Sequence, residues 1–135
     1  MSRENVEIVR RGIAAFNAND TDGFVSQWDS KCEFFTVTGS QVNATPYRGH
    51  EGIRRYCEER EETWMELRLD IERIVQGKDP DVVVTVGLLS GVGRGSGVRV
   101  EQTLGMVHEL RGGKVRRCRA YPDPKEALEA VGLSE

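Results

Sequence analysis

Only three cysteines, four prolines and two histidines occur among 135 residues, and these scarcities exclude several architectures. Cys32, Cys57 and Cys118 are odd in number, widely spaced and free of any CxxC pair, which rules out a disulfide framework and zinc-site spacing. They read as reduced, mostly buried thiols. Together with two scattered histidines they form no metal site, and no cofactor motif accompanies them. No apolar run approaches the roughly 18 residues of a membrane span. The polar stretch Met1-Ser2-Arg3-Glu4-Asn5 carries no signal-peptide pattern, so a cytoplasmic protein without a membrane partner is expected. A basic surplus is missing as well. The formal charge of −3 argues against a nucleic-acid partner, since such proteins concentrate positive charge on one face. The one basic run, Arg116, Arg117 and Arg119, reads as an exposed or subunit-facing strand.

What remains is ordinary globular material: 38% hydrophobic, 30% charged, with 15 glycines. No repeat or boundary divides it, so a single domain over residues 1–135 is expected. Residues 4–18 repeat apolar positions at spacings of three and four (Val6, Val9, Ile13, Phe16), which predicts an amphipathic helix. Asn17-Ala18-Asn19-Asp20 reads as its stop, and Asp20 as the cap of a short helix burying Phe24, Val25 and Trp28. A strand is expected at 31–37, a loop at 38–49 punctuated by Gly39, Ser40, Asn43, Pro46 and Gly49, and a helix from His50 to about Met65. In that helix Ile53, Tyr56, Cys57, Arg60 and Trp64 share a face.

Four long strands follow, at about 66–76, 81–92, 98–111 and 114–121. The glycine-rich stretch Gly91 to Gly97 lacks the G-x-G-x-x-G spacing and precedes a strand, so it reads as a hairpin and not a phosphate loop. Arg111-Gly112-Gly113-Lys114 is a second hairpin turn. Pro124 opens a short final helix that Gly132 ends. Helices first and strands after predict an α+β domain with a strongly bent sheet wrapped on the helices.

Period-two alternation names the inner face. Val100, Gln102, Leu104, Met106, His108 and Leu110 share one side of strand 98–111. On 114–121, Cys118 and Ala120 are placed inward, with Arg116 sharing their parity. Val115, Arg117, Arg119 and Tyr121 fall outward, where Arg117 and Arg119 are expected to pair with Glu101 or Glu109. Turning two or three arginines into an apolar interior would be costly. The candidate binding wall is therefore Gln102, Met106 and Cys118, faced by Phe16, Trp28, Phe34, Tyr56 and Trp64. Aromatics opposite small residues suit a cavity for an apolar or aromatic molecule, though the same rings would also serve as core filling.

Several segments carry a resemblance. They are Glu4 to Arg11, Ala15-Phe16-Asn17, Tyr47-Arg48-Gly49-His50-Glu51-Gly52-Ile53-Arg54, and Gly113-Lys114-Val115 leading to Arg119-Ala120-Tyr121. They resemble the SnoaL-like, or polyketide-cyclase-like, branch of the nuclear transport factor 2-like superfamily. The resemblance implies a cone-shaped α+β fold, N-terminal helices on a curved, mostly antiparallel sheet, and a homodimer joined through the outer sheet face. It leaves activity open, since the superfamily holds isomerases, cyclases, hydrolases, dehydratases and non-catalytic modules.

Carried over position by position, the catalytic carboxylates are absent. The ketosteroid isomerase positions correspond to Thr36, Gly12 and Met106. Those of limonene-epoxide hydrolase correspond to Ala120, with preceding-strand partners near Val86 and Leu88, and that of the SnoaL cyclases falls again near Ala120. Asp123 lies past Pro122 with the wrong parity, as expected of a cap or a dimer contact. The one titratable group left on the inner face is His108, the candidate acid/base. His50 reads as capping or loop packing. Two functions follow as expectations. One is a pocket binding a small apolar metabolite, with isomerase/cyclase-type proton transfer through His108. The other is a non-catalytic structural or regulatory dimerisation module whose pocket is filled by its own aromatics.

Overall fold

A computed structural model describes residues 2–38 and 41–133 of the chain. Helix α1 (Ser2–Asn17) buries Val9 and Phe16, with Val6 and Ile13 packed partly against the same core. It ends where Asn19 takes a left-handed φ of 57° and the Asp20 amide donates back to the Ala15 carbonyl at 2.9 Å. An asparagine tolerates that backbone better than most side chains do. Asp20 then caps helix α2 (Thr21–Ser26), accepting from the Gly23 amide at 3.0 Å. Phe24 and Val25 form the buried side of α2, whereas Trp28 is not part of it and opens strand β1 (Trp28–Phe35), three residues earlier than expected.

The expected loop at 38–49 holds short strands: β2 (Val37–Thr38), β3 (Gln41–Val42) and β4 (Tyr47–Arg48). Gly39 and Ser40 lie outside the described residues. Helix α3 (Gly49–Thr63) stops one residue short of Trp64, which was expected to share its face and instead begins strand β5 (Trp64–Gln76). Strands β6 (Val82–Gly93), β7 (Arg99–Arg111) and β8 (Lys114–Tyr121) follow, and helix α4 (Pro124–Ala130) closes the order. The β7–β8 turn places Gly112 at φ 57° and Gly113 at φ 78°, and two successive positive φ values are what a tight hairpin of the correct twist demands. Asp123 caps α4, accepting from the Lys125 amide at 2.9 Å.

The main sheet runs β4-β1-β8-β7-β6-β5, antiparallel except for the β1–β8 pair. Two irregularities bend β5 against β6, one between Met65 and Arg68 and one between Ile71 and Arg73. Glu66 sits at φ 56° inside the first, and the bend folds Leu67 and Trp64 over Gly91. A Cβ at Gly91 would lie 2.8 Å from Leu67 Cδ1 and 3.1 Å from Trp64 Cε3, so a larger residue there would have to push both side chains aside.

The helices fasten to the concave side by side-chain bonds to backbone. Asn17 at the end of α1 acts as an extra strand residue, donating to the Leu69 carbonyl at 2.9 Å and accepting from its amide at 2.8 Å. Buried Arg60 on α3 donates to the carbonyls of Phe16 and Leu67, each at 2.7 Å, while its guanidinium stacks 3.9 Å from the Phe16 ring centre. The larger core lies between helices and sheet, and a smaller one packs Ala127 and Leu128 of α4 on Val84 and Val107 of the convex face.

The bend of β8 corrects one expectation. A bulge opposite Glu109 and Leu110 pairs Leu110 with Val115, so Val115 turns inward and is buried, while Arg116 is the extra, half-buried residue. A simple period of two fails across a bulge. Arg117 also finds a different partner. It lies 2.9 Å from Glu33 of β1, which Arg48 approaches at 3.3 Å, and these cations hold the Glu33 carboxyl below its usual pKa. Arg119 lies over the rings of Phe35 and Tyr121, at 5.3 and 5.6 Å. The reason is register, since the parallel β1–β8 pairing sets Glu33 beside Arg117 and Phe35 beside Arg119.

Candidate functional site

The cone does not fill itself. Between the helices and the concave sheet face the side chains leave a cavity of about 530 Å³, within the range of roughly 300–1,000 Å³ usual for small-molecule sites. One wall is a chain of ring contacts. Phe16 meets Phe24 at 5.7 Å, Phe24 meets Trp28 at 5.8 Å, Trp28 meets Phe34 at 5.0 Å, and Phe34 meets Tyr56 edge-on at 5.0 Å. The other wall is the sheet, where Gln102, Leu104, Met106 and His108 stand beside Cys118 and Ala120. Trp64, Leu67, Leu89 and Val37 continue the lining on the other elements.

All nine candidate residues, Phe16, Trp28, Phe34, Tyr56, Trp64, Gln102, Met106, His108 and Cys118, line this one cavity. Among the described residues no aspartate, glutamate, lysine or arginine does so. Two features escaped the sequence. Bulges hide the inward parity of Leu67 and Val115, and the sequence left open whether the aromatics line the cavity or fill it. Thr85 was also missed, although it alternates with Val83 and shares its inward side.

His108 is 6% exposed, and its Nε2 lies 3.1 Å from Thr85 Oγ1, a hydroxyl with no exposed surface of its own. Burial without a compensating charge lowers the His108 pKa to about 4, so the ring is neutral at pH 7. The Cys118 thiol beside it is pushed up by burial and stays protonated. Tyr56 is likewise raised by burial, and its hydroxyl has no hydrogen-bond partner among the described residues.

Thr36, Gly12, Met106 and Ala120 line the cavity, and none of the four carries a carboxyl group. Val86 and Leu88 are corrected. They pair with Gly105 and Thr103 on the outward parity, and the inward residues beside them are Thr85, Gly87 and Leu89. None of these is a carboxylate either. His50 lies outside the cavity, and its Nε2 donates to the Trp28 carbonyl at 2.7 Å, tying the start of α3 to β1.

The profile of the SnoaL-like domain matches residues 9–118. The chain belongs to the SnoaL-like family. Among curated proteins, none matches the sequence significantly. Solved structures of this SnoaL-like protein's fold are numerous. An NTF2-like protein of unknown function from Burkholderia pseudomallei K96243 superposes with a TM-score of 0.77 at 15% identity, covering 96% of this chain and 98% of its own. A proposed polyketide cyclase from Pseudomonas putida KT2440 gives a TM-score of 0.73 at 20% identity, covering 95% and 98%. A ketosteroid isomerase-like fold from Catenulispora acidiphila DSM 44928, in complex with trimethylamine, gives 0.74 at 16%, covering 94% and 93%. At such identities the likeness speaks for the fold, the expected cone-shaped nuclear transport factor 2-like α+β architecture.

Proposed function

We propose that this SnoaL-like protein binds a small, uncharged, apolar or ring-containing metabolite in the cone cavity. The observation that carries the reading is the lining itself. About 530 Å³ is lined mainly by aromatic and aliphatic side chains, with a few neutral polar ones and no charged group among the described residues. An ionised ligand would lose its hydration there without an opposite charge to replace it, which is costly. A neutral ring loses little and gains apolar burial at roughly 25 cal/mol per Å².

Where turnover occurs, the family and its proposed cyclase neighbour favour isomerisation or cyclisation by proton transfer, with His108 as the participating group. A neutral imidazole with a pKa of about 4 is a weak base, so hydrogen bonding is its main contribution at pH 7. A dimerisation module with a filled pocket is less well supported, since the aromatics stack on one another and leave the volume open. The same reading takes the protein as a cytoplasmic homodimer joined through the outer sheet face. Three buried free thiols and the outward cluster of Phe35, Arg119 and Tyr121 support it.

The test is thermal denaturation against neutral ring compounds and their carboxylate analogues. At a hundred times Kd a bound ligand adds about 2.7 kcal/mol, so neutral compounds should raise Tm by several degrees while the carboxylates do not. Stabilisation by the carboxylates alone would overturn the reading.

A further inference from the structure

The hydrogen bond behind His108 decides what the ring shows to the cavity. Thr85 Oγ1 has no exposed surface and makes one hydrogen bond, to His108 Nε2. A hydroxyl brings one proton and needs one acceptor. If Nε2 carried a hydrogen, Thr85 would accept it, and the hydroxyl's own proton would be buried facing nothing. If Nε2 is bare, Thr85 donates to it and every polar hydrogen of the pair is placed. Leaving a buried donor unmade costs more than a made bond returns, so the second arrangement wins.

His108 Nδ1 then carries the ring hydrogen. That atom has no protein partner among the described residues, yet it is not occluded, because their single occluded and unpartnered side-chain polar atom is Gln76 Oε1. The opening left to it is the cavity that His108 lines.

We infer that Thr85 is a positioning residue that locks His108 as the Nδ1–H tautomer, and that this N–H donates to an uncharged carbonyl oxygen on the cavity's ligand. The inference rests on the reading that the cavity is a ligand site. It narrows the ligand class from any neutral ring to a ring bearing a ketone, quinone or lactone oxygen. It also changes the part His108 plays, from acid/base to hydrogen-bond donor polarising a carbonyl. Tyr56, whose hydroxyl has no partner among the described residues, lines the same cavity and is the second donor available to such an oxygen.

The first experiment is long-range proton–nitrogen correlation NMR on protein labelled with ¹⁵N-histidine. His50 supplies an internal reference of opposite kind, because its Nε2 faces the Trp28 carbonyl and must carry the hydrogen. Wild type should show a hydrogen on His108 Nδ1 and none on its Nε2, beside a hydrogen on His50 Nε2, and Thr85→Ser should keep that pattern. Thr85→Val should let His108 change or mix tautomers. An Nε2–H pattern for His108 in wild type would overturn the inference without any ligand.

The second experiment compares 1-indanone with indane. The ketone should bind wild type about tenfold more tightly or better, and Thr85→Val should erase most of that preference. Equal affinity for both would sink the carbonyl inference while leaving the ligand-site reading intact. Failure of both compounds to bind at millimolar concentration would sink that reading and the inference with it.

Discussion

Burying a histidine with no charged partner makes stability depend on pH in one direction. His108 has an ordinary pKa of 6.5 when unfolded and about 4 when folded. Between those values the unfolded chain binds a proton that the folded one does not, so stability falls as pH drops through that window. It levels off below about 4. At 1.36 kcal/mol per unit the loss is of order 3 kcal/mol. Denaturant unfolding of wild type and His108→Gln at pH 7, 5.5 and 4 checks this. Wild type should lose stability relative to the variant across that range, with equal losses counting against a buried neutral ring.

The candidacy of His108 was legible in the sequence, from its parity with Met106 and Leu104 on an apolar strand face. Its partner was not. Thr85 sits 23 residues earlier, and only the pairing of Thr85 with Met106 and of Val83 with His108 brings the two side chains together.

At the level of elements, the shape of the cavity depends on where strands bend. Gly91 marks one such place, with Trp64 and Leu67 closing over it. Gly91→Val would drive a branched side chain into both. Overpacking of this kind costs about 1–3 kcal/mol, and the displaced Trp64 and Leu67 side chains would narrow the cavity they line. The expected outcome is a lower denaturation midpoint together with weaker 1-indanone binding. A variant with unchanged stability and unchanged binding would show that the bend accommodates the side chain and that Gly91 does not shape the cavity. Bulges also explain the placements that failed. Val115 turns inward because Arg116 is an extra residue on its strand, and no count along the chain announces an extra residue. Helices were easier, because Asp20 and Asp123 cap by contacts within three residues, which is a local matter.

At the scale of the molecule, the convex face is divided. Helix α4 covers the part around Val84 and Val107, with Tyr121 packed against the same cluster, while Phe35 and Arg119 lie on the part outside it. A homodimer through that uncovered part should sediment near twice 15.1 kDa. Arg119→Glu should shift it towards the monomer, by replacing the cation over the Phe35 and Tyr121 rings with an anion. A wild type sedimenting at 15.1 kDa would refute the dimer.

Composition, periodicity and the quoted segments by themselves determined the helices, the hairpins, the inward face of β7 and the family. Each of these depends on residues a few positions apart or on a pattern repeated along one element. Only the tertiary structure decided that the aromatics make a wall and not a plug, that Glu33 is the partner of Arg117, and that Thr85 stands behind His108. Those facts depend on strand register and bulges, which are set by packing between segments far apart in the chain and carry no local signature.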